Sequence, residues 1–118
     1  MPLFAIGAST MSTHTDAIDA PLRSAMADDP YFADLLRQFV AQLPQRVAEM
    51  ESALQNQRWD DLQRFTHQMK GAGGGYGFIP LSAAAALAEQ LLIQKASPED
   101  IRLATQSLTN LCRRAQAD

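Results

Sequence analysis

Three features of the sequence predict an all-α fold, an antiparallel four-helix bundle preceded by a short N-terminal helical segment. Apolar residues recur every three or four positions in four stretches, the breaks between them are short and carry helix start and stop residues, and no segment alternates apolar and polar residues as a strand would. A chain of 118 residues, 47% hydrophobic and 19% charged, has the size and composition of one globular domain. No internal repeat or second domain is visible. The expected division is a disordered tail over residues 1–18 and the bundle over residues 19–118.

In the tail, the apolar run Pro2–Ala8 is too short to span a bilayer and lacks the basic start of a signal peptide. Met11 opens a polar stretch that reads as a translation start, and His14 is assigned no role. Over Asp19–Ala27 a helical turn is expected, with Leu22 and Met26 at i, i+4. Asp29 is the expected N-cap of the first long helix, with Pro30 in its first turn. Phe32, Leu35, Leu36, Phe39, Val40, Leu43, Val47, Met50 and Leu54 then keep to one band roughly 140° wide. Pro44 interrupts the hydrogen bonding but not this phase, so one bent helix from Pro30 to Gln57 is expected instead of two.

After a turn at Arg58 and Trp59, Asp60 and Asp61 complement the N-terminal dipole of the second helix, whose stripe is Leu62, Phe65, Met69, Ala72 and Tyr76. Pro80 opens the third, with Leu81, Ala84, Ala85, Ala88, Leu91 and Leu92 inward. Ser97, Pro98 and Asp100 start the fourth, which presents Ile101, Ala104, Leu108, Leu111, Cys112 and Ala115. All four stripes can be satisfied within one chain, so a monomer is expected.

The net charge of −3 and a pI near 5.2, without a basic stripe, argue against nucleic-acid binding. The single cysteine, Cys112, forms no internal disulfide and lies on an apolar face, which points to the reducing cytoplasm. No membrane association is expected.

Chemistry concentrates in DDLQRFTHQMKGAGGGYG, residues 60–77, with five of the six glycines. On the helical wheel His67 lies roughly 170° from the apolar stripe, so it faces water. Gln63, Arg64, Lys70, Gly71 and Gly74 share its face. A lone histidine on a helix is most often an ordinary surface residue. Glycines, however, each cost about 0.8 to 1 kcal/mol relative to alanine in a helix. A C-cap needs only one, Gly75 or Gly77, and the others suggest close approach by something.

Neither G-x-G-x-x-G nor G-x-x-x-x-G-K-[ST] fits the run, since Tyr76 stands where the last glycine of the first pattern would fall and no lysine follows. No second histidine, cysteine or carboxylate at i+3 or i+4 accompanies His67, so no metal site is expected. The imidazole itself remains as a nucleophile. A histidine's ordinary pKa of about 6.5 leaves it largely neutral near pH 7, able to attack phosphorus without a dedicated base. Lys70 would offset the charge of the arriving oxygens, and Gly71 and Gly74 would leave room for a partner.

His67, Lys70, Gly71 and Ala72 in THQMKGAGGGYGF resemble the signature of histidine-containing phosphotransfer (HPt) domains, His-x-Leu-Lys-Gly followed by small residues and a later glycine. The resemblance covers roughly residues 22–95, including Leu43-Pro44 and Trp59-Asp60. It implies a four-helix carrier of a phosphoryl group. His67 would be the phosphoacceptor, Lys70 its charge partner and Gly71 the access gap, with Gln63, Arg64, Gln68 and Gly74 bordering the surface that docks a receiver. The implied partners are response-regulator receiver domains and a sensor histidine kinase. No cofactor is intrinsic; Mg²⁺ is expected on the receiver.

Two departures stand out. Met69 replaces the motif's leucine, a volume-conserving change. The family's Leu-Glu pair on the third helix is displaced, Leu87 being followed by Ala88 with Glu89 one place late, and Glu89 is assigned no role. The expected protein is a carrier and not an enzyme. A non-catalytic docking module, or a phosphohistidine phosphatase or kinase fragment, is the alternative.

Overall fold

The computed structural model describes residues 20–117; the expected tail over residues 1–18, with Met11 and His14, lies outside the described residues. Four α-helices make up most of the chain: α1 (Ala33–Gln55), α2 (Trp59–Gly75), α3 (Ile79–Ile93) and α4 (Pro98–Arg114). Their connections are residues 56–58, 76–78 and 94–97. Each helix packs on the next, and α4 returns to α1.

α1 runs unbroken through Pro44, as the unbroken apolar phase required, and buries Leu36, Phe39, Leu43, Val47, Met50 and Ala53. Its first turn is a separate 3-10 turn, Pro30–Phe32, in which the Asp29 carboxylate accepts from Tyr31 N at 2.9 Å. Upstream the expected turn is only partly present: Ala27 N donates to Ser24 O and Asp29 N to Met26 O, both at 3.1 Å, but the residues before it are not helical. Leu22–Arg23 (β1) is extended and pairs in parallel with Ala115–Gln116 (β2), two strands where none was expected. The reason is tertiary: the end of α4 offers free backbone groups, and two residues are too few to show an alternating pattern. Leu22 and Met26 still pack on the core.

The first three helices end alike. Gly77, Gln57 and Lys95 adopt φ of 81°, 55° and 56° respectively just after α2, α1 and α3. The next amide donates back into the last turn: Phe78 N to Gly73 O at 2.8 Å, Arg58 N to Ala53 O at 2.8 Å, and Ala96 N to Leu91 O at 2.9 Å. These are Schellman closures, and only the first uses the glycine that such a φ favours.

The core is continuous across all four helices, with Leu36, Leu62, Phe78, Leu81 and Leu108 fully buried. Phe39 stacks on Tyr76 at 4.7 Å between centroids and meets Phe78 at 5.7 Å, so α1 is packed against the turn that ends α2. Two threonines of α4, Thr105 and Thr109, are buried where an apolar stripe alone would not place them. Their hydroxyls donate to Ile101 O and Gln106 O, which removes the cost of burial.

Candidate functional site

The site begins with how α2 and α3 approach. A Cβ built on Gly73 would lie 2.7 Å from Leu81 Cδ2 and 3.2 Å from Ser82 N, so any side chain there would force the helices apart. Ser82 Oγ donates to Lys70 O at 2.8 Å across the same contact. The buried residues of α2 are Leu62, Thr66, Met69 and Gly73, while Phe65, Ala72 and Tyr76 of the expected stripe are only partly buried. The buried centre is therefore turned by roughly 50° from the expected one. Thr66 can enter the core because its hydroxyl donates to Gln63 O at 2.9 Å. This rotation carries His67 towards α3.

His67 precedes Gly74 on α2 by two turns, and Glu89 follows Ser82 on α3 by two turns. The close contact at the glycines thus brings a carboxylate to the histidine. His67 Nδ1 lies 2.7 Å from Glu89 Oε2, and Lys70 Nζ donates to Glu89 Oε1 at 2.7 Å. The Glu89 side chain is 11% exposed, against 66% for His67 and 40% for Lys70. The hydrogen bond from Lys70 is the main cause that holds the Glu89 carboxyl below its ordinary range; burial opposes it and the bond to His67 adds to it. An ionised carboxylate only accepts, so Nδ1 must carry the hydrogen. Nε2 of the neutral ring then holds the lone pair. Nε2 is the ring nitrogen not tied to Glu89.

Glu89 is thus the site residue that sequence reasoning missed. Displacement by one place from the family's Leu-Glu pair hid it. A signal did exist, since it is the only charged residue in Ile79–Ile93, a helix otherwise of apolar, alanine and uncharged polar residues. Lone charge on such a helix requires a partner.

The remaining expected residues fall around this pair unevenly. Asp60, Gln63, Arg64, His67 and Glu89 line an open depression of about 410 Å³. Arg64 lies 3.4 Å from Asp61 and 5.1 Å above the Phe65 ring. Gln68 faces the other way, into a crevice against Arg46 and Glu49 of α1. Gly71 is exposed and a Cβ there would meet nothing within 4 Å, so the space beside His67 is open. Gly74 does not share that openness, because its Cβ would sit 3.3 Å from Ser82 Oγ. Among the described residues, no three His, Cys, Asp or Glu side chains gather into a group that could hold a metal ion. No helix among them is long and apolar enough to cross a membrane.

Compared with known proteins, the family model of the Hpt domain matches residues 34–118, which takes in all four helices and both Glu89 and the His67 segment. No curated protein and no solved structure matches the chain.

Proposed function

The chain belongs to the Hpt domain family, the phosphotransfer modules of two-component signalling, which are phosphocarriers and interact with receiver domains and kinases; from that premise we propose that His67 is the phosphoryl carrier here. It accepts the group from the aspartate of one receiver domain and passes it to another. The observation that carries this reading is the Lys70–Glu89–His67 arrangement, in which Nδ1 is held by a buried carboxylate, Nε2 is left outside that bond, and the exposed His67 side chain lines an open depression.

In the forward step the Nε2 lone pair attacks phosphorus of the receiver's acyl phosphate. The P–O bond to aspartate breaks and its electron pair returns to the carboxylate. The imidazole becomes positively charged, and Glu89, facing Nδ1–H, stabilises that charge. Lys70 holds Glu89 in place with one of its three N–H groups, and the others are within the compass of the same face to meet phosphoryl oxygens. Gly71, Gln63 and Arg64 border the docking surface. The receiver brings the aspartate and the Mg²⁺ it carries, so the protein acts as half an active site, in an antiparallel bundle, as a cytoplasmic monomer.

Phosphotransfer between purified proteins tests this. Receivers from the same organism, labelled on aspartate, should give label to the wild type and none to His67→Gln, and the product should be stable to base and labile to acid. Binding of a receiver without transfer would replace the carrier by a docking module.

A further inference from the structure

The glycines of α2 exceed what ending a helix requires, and two of them open onto one residue of α3. A Cβ on Gly73 would crowd Ser82 N, and one on Gly74 would crowd Ser82 Oγ, at 3.2 and 3.3 Å. Ser82 uses that space to reach the neighbouring helix, where its hydroxyl donates to Lys70 O at 2.8 Å in a half-buried contact. Lys70 is thereby held to α3 at both ends, its carbonyl by Ser82 and its ammonium by Glu89 at 2.7 Å. The two α3 residues are seven apart, two turns or about 10.5 Å along the axis.

We propose that Ser82 is a positioning residue of the phosphoryl carrier: its hydroxyl on Lys70 O sets the register of α3 on α2 at which Glu89 meets His67 Nδ1. Ser82 has this role only if His67 is the carrier, as read above. Packing by itself holds that register weakly. Between Ser82 and Glu89 the side chains that α3 buries are Ala85 and Ala88, and single methyl groups make low ridges, so little resists a slide of one helix along the other. Glu89 nevertheless has to meet two partners at once, His67 Nδ1 and Lys70 Nζ, both at 2.7 Å, and a hydrogen bond weakens steeply once its distance or angle departs from the favoured range. Among the described residues, the Ser82 bond is the one hydrogen bond between α2 and α3 outside those two. It also ends on a main-chain oxygen from a side chain of a single carbon, so it ties backbone to backbone with little slack. Glu89, on a longer and more pliable stem, is delivered by it.

The test uses the full chain and its Ser82→Ala variant, with Thr105→Val as control, because Thr105 is a buried hydroxyl whose bond to Ile101 O stays within α4. A circular-dichroism melt verifies folding of both variants. The ¹⁵N shifts of the imidazole report which nitrogen carries the hydrogen, and phosphoramidate, a small donor that needs no receiver, phosphorylates His67 directly. In Ser82→Ala the preference for hydrogen on Nδ1 should weaken and the initial labelling rate should fall by roughly threefold to tenfold, the change that one hydrogen bond commands. Thr105→Val should match the wild type in both readouts even where its melting temperature drops. Wild-type ¹⁵N shifts or a wild-type labelling rate in Ser82→Ala, or equal changes in Thr105→Val, would overturn the role of Ser82 and leave His67 in place. Failure of phosphoramidate to label the wild type would instead overturn the carrier reading, and the role of Ser82 with it.

Discussion

Glu89→Gln is the substitution that interrogates the site most directly, because it keeps the shape and removes the charge. A glutamine amide turned towards Nδ1 donates, and it then favours the ring form with hydrogen on Nε2, which is not nucleophilic there. A hydrogen bond to an ionised group contributes about 1.5–3 kcal/mol. The His67 side chain is 66% exposed, and water replaces much of that, leaving about 1 kcal/mol. The second loss is the attraction between Glu89 and the positive ring formed in transfer. At about 4 Å it lies between ~1 kcal/mol in bulk water and ~4 kcal/mol near a protein surface. Exposure places it near the lower limit, again about 1 kcal/mol. Together, about 2 kcal/mol corresponds to a roughly 30-fold slower phosphorylation of His67.

Two measurements check this: the initial rate of phosphoramidate labelling, and the ¹⁵N shifts of the imidazole, which report the tautomer. A rate within about threefold of wild type together with an unchanged tautomer would refute the assignment of Glu89. The same variant has a signature in stability. Glu89 titrates below its ordinary value of 4.5 in the fold, so the stability it contributes is fully present above about pH 4.5 and is lost as pH falls through its lower folded pKa. Unfolding free energy should therefore fall less steeply between about pH 5 and pH 3 in Glu89→Gln than in wild type.

Other outcomes follow from backbone and burial. Gly73→Ala should cost about 1–3 kcal/mol by denaturant unfolding, because its Cβ meets Leu81 and the Ser82 backbone, whereas Gly71→Ala, open on every side, should gain about 0.5–1 kcal/mol of helix propensity. Gln57→Gly, which relieves a φ of 55°, should raise the thermal midpoint by the equivalent of about 0.5–1 kcal/mol. The Cys112 thiol is pushed up to about 12 by burial, so a thiol reagent at pH 8 should label it only as the protein unfolds, with kinetics that track unfolding.

Much of this molecule is written locally. The proline at position 44 did not deceive the reading of α1, because phase depends on spacing and the apolar residues from Phe39 to Met50 never leave their band. Asp29, Ser97 and Pro98 mark helix starts through side chains that act on their own next turn, so Ser97 accepts from Asp100 N at 3.1 Å as its position implied. The placement of His67 on a wet face followed from the same arithmetic, and the motif around it named the family. What spacing along one helix cannot contain is the rotation of that helix against its neighbours. The wheel treats Thr66 as polar and Gly73 as empty, yet both are buried, one because its hydroxyl is satisfied at home and the other because absence of a side chain is what α3 needs. That rotation, and the contact of Gly73 and Ser82 two turns away, delivered Glu89 to His67 across 22 residues of sequence. Likewise the pairing of Leu22 with Ala115 joins residues whose own neighbours give no strand pattern. The exposed histidine was thus placed by the sequence itself; which of its two nitrogens is tied to Glu89 was decided by packing, because a hydrogen bond between helices exists only once both are in place.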